Sequence, residues 1–311
     1  MVQTTNGGAG SSRRLGLRLW KHRAYYVLML PAIIYVLIFC YAPMYGLQIA
    51  FKDYKGALGI VGSRWCGMKH FMSFFKSYNF TLLMRNTIVL SLYSLIAGFP
   101  MPIIIALLLN ETKGQFKRAS QTVLYAPHFL STVVVVGMIN TMLSPSFGVV
   151  NTIIEALGGE RIYFMTMPGA FRHLYVWSGV WQGMGWGAII YLAALAAVDP
   201  ELHEAATIDG ASRIQRIRYI NIPTIVPTII ILLIMRMGSL VSVGYEKVYL
   251  LQNDLNVEVS EVISTYVYKR GLLQNNYSFS TAVGLFNNVV NIALLLLTNF
   301  ITRRVSDTSL F

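Results

Sequence analysis

The sequence predicts an all-α integral membrane protein with six transmembrane helices, and three observations predict it. The 311-residue chain is 55% hydrophobic and 12% charged, with a mean hydropathy of +0.55. Soluble domains carry about a quarter charged residues, and few soluble folds could hide this much apolar surface. The apolar residues gather into six stretches of about 20, the length a helix needs to cross a bilayer. The basic residues fall mostly in the connectors between those stretches. A net charge of +12 would suit nucleic acid if it formed one patch. Dispersed as it is, it reads as membrane-orientation signals. Cys40 and Cys66 are too few for a disulfide framework and read as two unpaired thiols, with pairing open only if both lie outside the membrane.

The polar Gly- and Thr-rich start, 1–10, is read as disordered, within a tail over 1–24. The first span, 25–50, is too long for a cleavable signal, and no small-residue cleavage site follows it. The others cover 82–109, 123–143, 175–198, 223–243 and 281–301. Arg13, Arg14, Arg18, Lys21 and Arg23 before the first span predict a cytoplasmic N-terminus. Six spans then put Lys113, Lys117, Arg118, Arg213, Arg216, Arg218, Arg303 and Arg304 on the same side. The opposite side is not free of charge, because the first external loop carries Lys52, Lys55, Arg64, Lys69 and Lys76. Pro31, Pro43, Pro100, Pro102, Pro127 and Pro227 lie within the spans and predict kinked helices. They suit a bundle around a cavity, and an inert kinked bundle equally. Apolar residues at helical spacing over 148–158, closed by Gly158, predict a short helix at the outer interface.

The segment 199–223 is the most informative. Asp199 suits an N-cap, Pro200 the first helical position, and Glu201 the positive end of the helix dipole. Gly210 can close the helix in the left-handed conformation. A cytoplasmic helix of nearly three turns is predicted from Pro200 to about Asp209, with Pro223 opening the fifth span. Within it stand Glu204-Ala205-Ala206, three residues, Gly210, nine residues, Ile220, one residue, then Ile222-Pro223. This pattern resembles the one that marks permease subunits of binding-protein-dependent ABC importers, with Ile222 where the pattern has Leu. Leu30-Pro31-Ala32 and Asn86-Thr87 resemble the carbohydrate-uptake branch. The stretch from Val241 through Tyr245 to Leu251, and the ending Thr308-Ser309-Leu310-Phe311, are similar to the complex-carbohydrate permeases of the LplB type.

The resemblance implies a permease domain over 25–311 in a bacterial plasma membrane. It implies a second, different permease, two ATPase subunits and an extracytoplasmic solute-binding lipoprotein as partners. Glu204, Ala205, Ala206, Asp209, Gly210, Ile220 and Pro223 would form the docking segment for the ATPase. Glu204 would supply charge, the alanines close approach, and Gly210 the sharp exit. ATP and its Mg would sit on the ATPase chains, with no cofactor on this one.

The residues themselves offer no catalytic centre. His22, His70, His128, His173 and His203 lack metal-ligand spacing, and no phosphate-binding Gly loop with its Lys is present. Arg236 is the one charged residue near the middle of a predicted span. It reads as a donor to a substrate or gate element, or as a structural Arg bonded to carbonyls. Trp177, Trp181, Gln182, Tyr245, Asn287, Asn288 and Asn291 complete the candidate pathway, since flat faces beside amides suit pyranose rings. Interhelical bonding and small-residue packing account for the same residues. An ion-coupled secondary transporter, a membrane enzyme, and an importer of a non-sugar solute are the rival readings.

Overall fold

The structure, a computed structural model, describes residues 20–305. Arg13, Arg14, Arg18, the 1–10 stretch and the 308–311 ending lie outside the described residues. The chain divides into two compact units between Gly67 and Met68.

In the first unit, α1 (Arg23–Tyr35) runs on through a π-helical segment, Val36–Tyr41, and 3-10 turns, Ala42–Phe51. Together they make a 29-residue candidate span, Arg23–Phe51. No residue of α1 is buried, as suits a helix that meets lipid or another chain. The tightening to 3-10 geometry coincides with Pro43, whose missing N–H relaxes the α ladder. A short antiparallel ladder follows, β1 (Lys52–Asp53) with β2 (Arg64–Trp65), around α2 (Gly59–Gly62).

In the second unit, α3 (Lys69–Phe75) precedes α4 (Phe80–Gly98) and α5 (Pro100–Asn110), which join at Phe99 into one candidate span, Phe80–Asn110. The third predicted span, 123–143, is not one straight helix. α6 (Gly114–Tyr125) passes through a 3-10 turn at Ala126–Phe129, and α7 (Thr132–Met142) departs at 99°. Pro127 removes a donor in the turn, Leu130 turns extended, and Ser131 starts the new helix by accepting from Val134 N at 3.3 Å. Among the described residues there are therefore five helices long and apolar enough to cross a membrane, six if this bent pair counts as one.

α8 (Val149–Ala156) is the predicted short helix, and α9 (Pro168–Ala196) is the long fourth span. α9 begins seven residues before the predicted boundary, because Pro168 is pre-shaped for a first turn. α10 (Pro200–Ile208) follows. α11 (Arg213–Arg216), a π segment at Ile217–Asn221 and α12 (Ile222–Met237) then form one candidate span, Arg213–Met237. The fifth span thus starts ten residues before Pro223. The wider π turn just ahead of Pro223 makes room for a ring that would clash with the preceding turn of a regular helix. The helix also ends at Met237, short of the predicted 243, so Arg236 lies in its last turn and not near its middle.

The chain then folds back through α13 (Tyr245–Leu251), α14 (Val257–Ser260) and α15 (Ile263–Tyr268) before α16 (Tyr277–Val305), the last span. α9 packs chiefly on α4 and α5 and also touches α12, α13 and α14. Leu90, Val136, Phe171, Val180, Val248 and Val262 share one core cluster, and Ala106, Ala188, Tyr191, Leu195 and Ile225 another.

Buried Asn86 ties the folded-back segment to the bundle. Its Nδ2 donates to the Glu258 and Glu261 carbonyls at 2.8 and 3.1 Å, and its Oδ1 accepts from Arg172 at 3.2 Å. Neighbouring Thr87 accepts from Ile263 N at 3.0 Å. Removing a donor from buried acceptors costs roughly 1–3 kcal/mol. We expect Asn86→Ala to cost about 2 kcal/mol, read as a lowered unfolding midpoint in detergent. An unchanged midpoint would show that the segment is held otherwise.

Candidate functional site

A cavity of about 510 Å³ opens between α4–α5, α9, α12 and α13. Its shape follows from small side chains on facing helices: Ser94, Gly98 and Pro102 on one wall, Gly179, Gly183 and Gly187 on the other. Each set repeats every four residues and so shares a helix face. A Cβ added at Gly183 would meet nothing within 4 Å, whereas one at Gly185 would run into the Leu124 carbonyl. The hollow is therefore open at Gly183, while Gly187 packs on Pro102 and Gly185 on Leu124.

Arg236 reaches the cavity from the end of α12 and Lys247 from α13. Lys247 Nζ lies 5.3 Å from the centre of the Tyr175 ring, a cation–π distance. Burial penalises its ammonium and pushes the pKa from the usual lysine value down to about 8. A smaller hollow of about 230 Å³ shares Ser94, Tyr175 and Arg236 and adds Ser91, Ser239 and Ser242. Ser91 is 5% exposed, and its hydroxyl has no hydrogen-bond partner.

Two of the candidate pathway residues, Arg236 and Gln182, line this cavity. Gln182 Nε2 donates to the Leu130 carbonyl at 2.7 Å, satisfying a group freed by the break between α6 and α7. The tryptophans are not gathered there. Trp177 is exposed and donates to Tyr93 Oη at 2.9 Å, Trp181 is exposed, and Trp186 stacks on His128 at 4.5 Å. Asn291 is buried, accepting from Val241 N at 3.0 Å and donating to Ser242 Oγ at 2.8 Å, so its amide fastens α16 to the turn after α12. Asn288 is exposed, Asn287 is half-buried with an unpartnered Oδ1, and Tyr245 stacks on Tyr268 at 4.9 Å. None of these lines the cavity. Burial, helix phase and the fold-back of 238–276 decide this, and residue type alone does not report them.

Sequence reasoning missed Lys247, Tyr175 and Tyr191 as cavity residues. The four-residue repeat of Gly179, Gly183 and Gly187 was the available signal for the open face of α9. No local pattern announces Lys247, which lies outside the spans.

The second feature is α10. Asp199 caps it by accepting from Glu201 N at 3.0 Å. At the other end, Gly210 takes φ +77°. Gly210 N donates to Thr207 O at 3.1 Å and Ala211 N to Ala206 O at 2.9 Å, the Schellman arrangement. Ser212 and Gln215 form a capping box at the start of α11, and Arg216 donates to Thr207 Oγ1 at 2.8 Å. Glu204, Ala205, Asp209 and Gly210 are exposed, Ala206 is half-buried, and Ile220 and Pro223 lie in the following helix. α10 is thus a short helix, locked at both ends, that leaves most of its surface uncovered between two spans.

A multi-span helical chain with an internal cavity and a rigid exposed helix between late spans defines the class of membrane transport subunits. Residues 86–307 match the family described as binding-protein-dependent transport system inner membrane component, and the chain belongs to it. It is 44% identical over 96% of its length, and 94% of the relative's, to the polygalacturonan/rhamnogalacturonan transport system permease protein YteP of Bacillus subtilis (strain 168). It is 46% identical to protein LplB of the same organism, over 92% of this chain and 90% of that one. A permease chain in the crystal structure of a bacterial alginate ABC transporter, in complex with alginate pentasaccharide-bound periplasmic protein, superposes with a TM-score of 0.87. The two are 43% identical, over 96% of this chain and 100% of that chain.

Two outcomes are expected at the cavity. With Cys40 and Cys66 changed to serine, Gly183→Cys should react with a water-soluble thiol reagent in the membrane. Gly185→Leu should instead destabilise the protein by about 1–3 kcal/mol through overpacking. A Gly183→Cys variant whose new thiol stays unreactive would mean that the hollow is closed to water. The Lys247 amine, dimethylated with ¹³C and followed by NMR, should lose its proton around pH 8, well below ordinary lysines. The cavity then holds the Lys247 charge below that pH and loses it above. A midpoint beyond about 10, the ordinary lysine range, would contradict the burial argument.

Proposed function

We propose that this chain is one permease subunit of an ATP-driven importer of oligosaccharides, forming half of a pathway whose other half is a second, different permease. The substrate class is carried by one observation: near end-to-end likeness, at 43–44% identity, to chains whose names or structures concern polysaccharide transport. Two ATPase subunits hold ATP and Mg, and an extracytoplasmic binding lipoprotein delivers the sugar. The N-terminus faces the cytoplasm.

α10 is the coupling helix. The exposed Glu204 offers charge to the ATPase, Ala205 and Ala206 let backbones approach, and Asp209 and Gly210 shape the exit. Locked caps support this role, since a frayed helix would absorb motion and a rigid one transmits it. When the ATPases close on ATP, α10 moves with them and the bundle alternates between inward- and outward-facing states.

Two tests apply. Purification in mild detergent should recover a second permease, an ATPase and a solute-binding protein, and recovery of the chain alone under several gentle conditions would contradict the proposed assembly. Glu204→Lys should leave the amount of protein in the membrane unchanged and reduce saccharide uptake at least about tenfold, the effect of about 1.4 kcal/mol. Gly210→Pro should do likewise, because proline cannot adopt φ +77°. Normal uptake in both variants would remove the coupling assignment.

A further inference from the structure

The cavity carries charge of one sign only. Its lining includes Arg236 and Lys247 and no Asp or Glu, and the adjoining hollow includes Arg236 and again no carboxylate. Neither cation has an ion-pair partner among the described residues. Lys247 makes only the cation–π contact with Tyr175 described above, which leaves its ammonium hydrogens available. Lys247 is half-buried without a counter-charge, a cost that an anion reaching it relieves, and Arg236 is exposed at the same cavity's wall. The hollow beside Arg236 is hydroxyl-rich, with Ser91, Ser94, Ser239 and Ser242 on its wall. The Ser91 hydroxyl is buried without a partner. A volume of about 510 Å³ lies inside the range of roughly 300–1,000 Å³ typical of small-molecule sites.

From these groups we infer that the cavity selects acidic oligosaccharides, Arg236 and Lys247 receiving the carboxylates of uronate rings while the serine hydroxyls meet ring hydroxyls. The inference rests on the oligosaccharide reading and narrows it to one charge class. A guanidinium can hold a carboxylate through two parallel N–H donors, and an ammonium holds it as a point charge. A neutral sugar would use the hydroxyl wall alone and leave both cations without a counter-charge. Tyr175 lines both hollows, with Lys247 over its ring.

The test uses the assembled complex, with its partner permease and ATPases, in lipid nanodiscs without the binding protein, so that the binding protein's own selectivity does not enter. Binding of trigalacturonate and trimannuronate is compared with that of their carboxyl-reduced counterparts, galactotriose and mannotriose, by a scintillation proximity assay. The expected result is a preference of about tenfold or more for at least one uronate over its reduced form. The preference should weaken as salt rises and disappear in the double variant Arg236→Gln/Lys247→Gln. It is read as a ratio within one preparation, so loss of folded protein cancels. Equal binding of a uronate and its reduced form, the result expected if a partner subunit neutralises both cations, overturns the acid selectivity and leaves the oligosaccharide reading standing. A preference that survives in the double variant overturns the assignment to these residues. Binding of none of the four overturns both.

Discussion

The arrangement of the second unit depends on a buried amide, Asn86. The chain between the last two spans must leave the bundle and return, and its backbone groups need partners wherever water is excluded. Asn86 supplies a donor to each of two carbonyls in that segment and accepts from Arg172 of α9. One side chain therefore joins α4, α9 and the fold-back. Thr87 adds a bond to the next backbone amide, Ile263 N. With the segment held there, Val248, Leu251 and Val262 close the core cluster against Leu90 and Phe171. Lys247, on the same short helix as Val248, is thereby carried over Tyr175. The charge at the cavity wall is a consequence of a hydrogen bond made elsewhere in the chain.

A second constraint shapes the helices. Proline within the bundle removes donors, and three departures from regular geometry lie close to one, although the π segment at Lys269–Leu273 does not. The α6–α7 break follows Pro127, the π segment ahead of α12 precedes Pro223, and α5 restarts at Pro100. The Leu130 carbonyl freed at the first break is taken by Gln182, a residue that also lines the cavity. Backbone repair and cavity lining share one side chain, so Gln182 cannot be assigned to a ligand on residue type alone.

Hydropathy and capping chemistry are enough to read the all-helical membrane class, most span centres and the limits of α10 from the sequence. These features are local: an apolar run of about 20 residues, an Asp-Pro start and a glycine that takes positive φ. The bend in 123–143 is half legible. Pro127 marks a kink in the sequence, whereas the N-cap at Ser131 that turns a kink into a 99° break shows only in the structure. The start of the fifth span is misplaced because Pro223 looks like a first position, and the apolar run past Met237 misplaces its end, which carries Arg236 from the helix end to near the middle. The pathway residues are the least legible. Trp177, Trp181 and Trp186 share α9 with Gly179, Gly183 and Gly187, and the glycines, not the tryptophans, face the cavity. Asn291 has the chemistry of a ligand-binding amide, yet its groups are committed to Val241 and Ser242. Such commitments are tertiary, and a single sequence does not display them.

The two functional features are joined by the same helices. α10 is bracketed by the end of α9 and the start of α11, and Arg216 ties its last turn to the next helix through Thr207. Leu195 near the end of α9 and Ile225 of α12 share a core cluster with Ala106 of α5. Farther along, these helices become cavity walls, α9 through Gly187 and Gly183, α12 through Leu232 and Arg236, and α5 through Pro102. A displacement of α10 enters α9 and α12 at their adjoining ends, and a close-packed interface resists compression. The packed ends of α9 and α12 then shift together, and the separation of the cavity walls farther along changes with them. On the proposed function, coupling therefore needs no relay of specific side chains across the bundle, because the levers that the ATPase pushes are also the walls that hold the sugar.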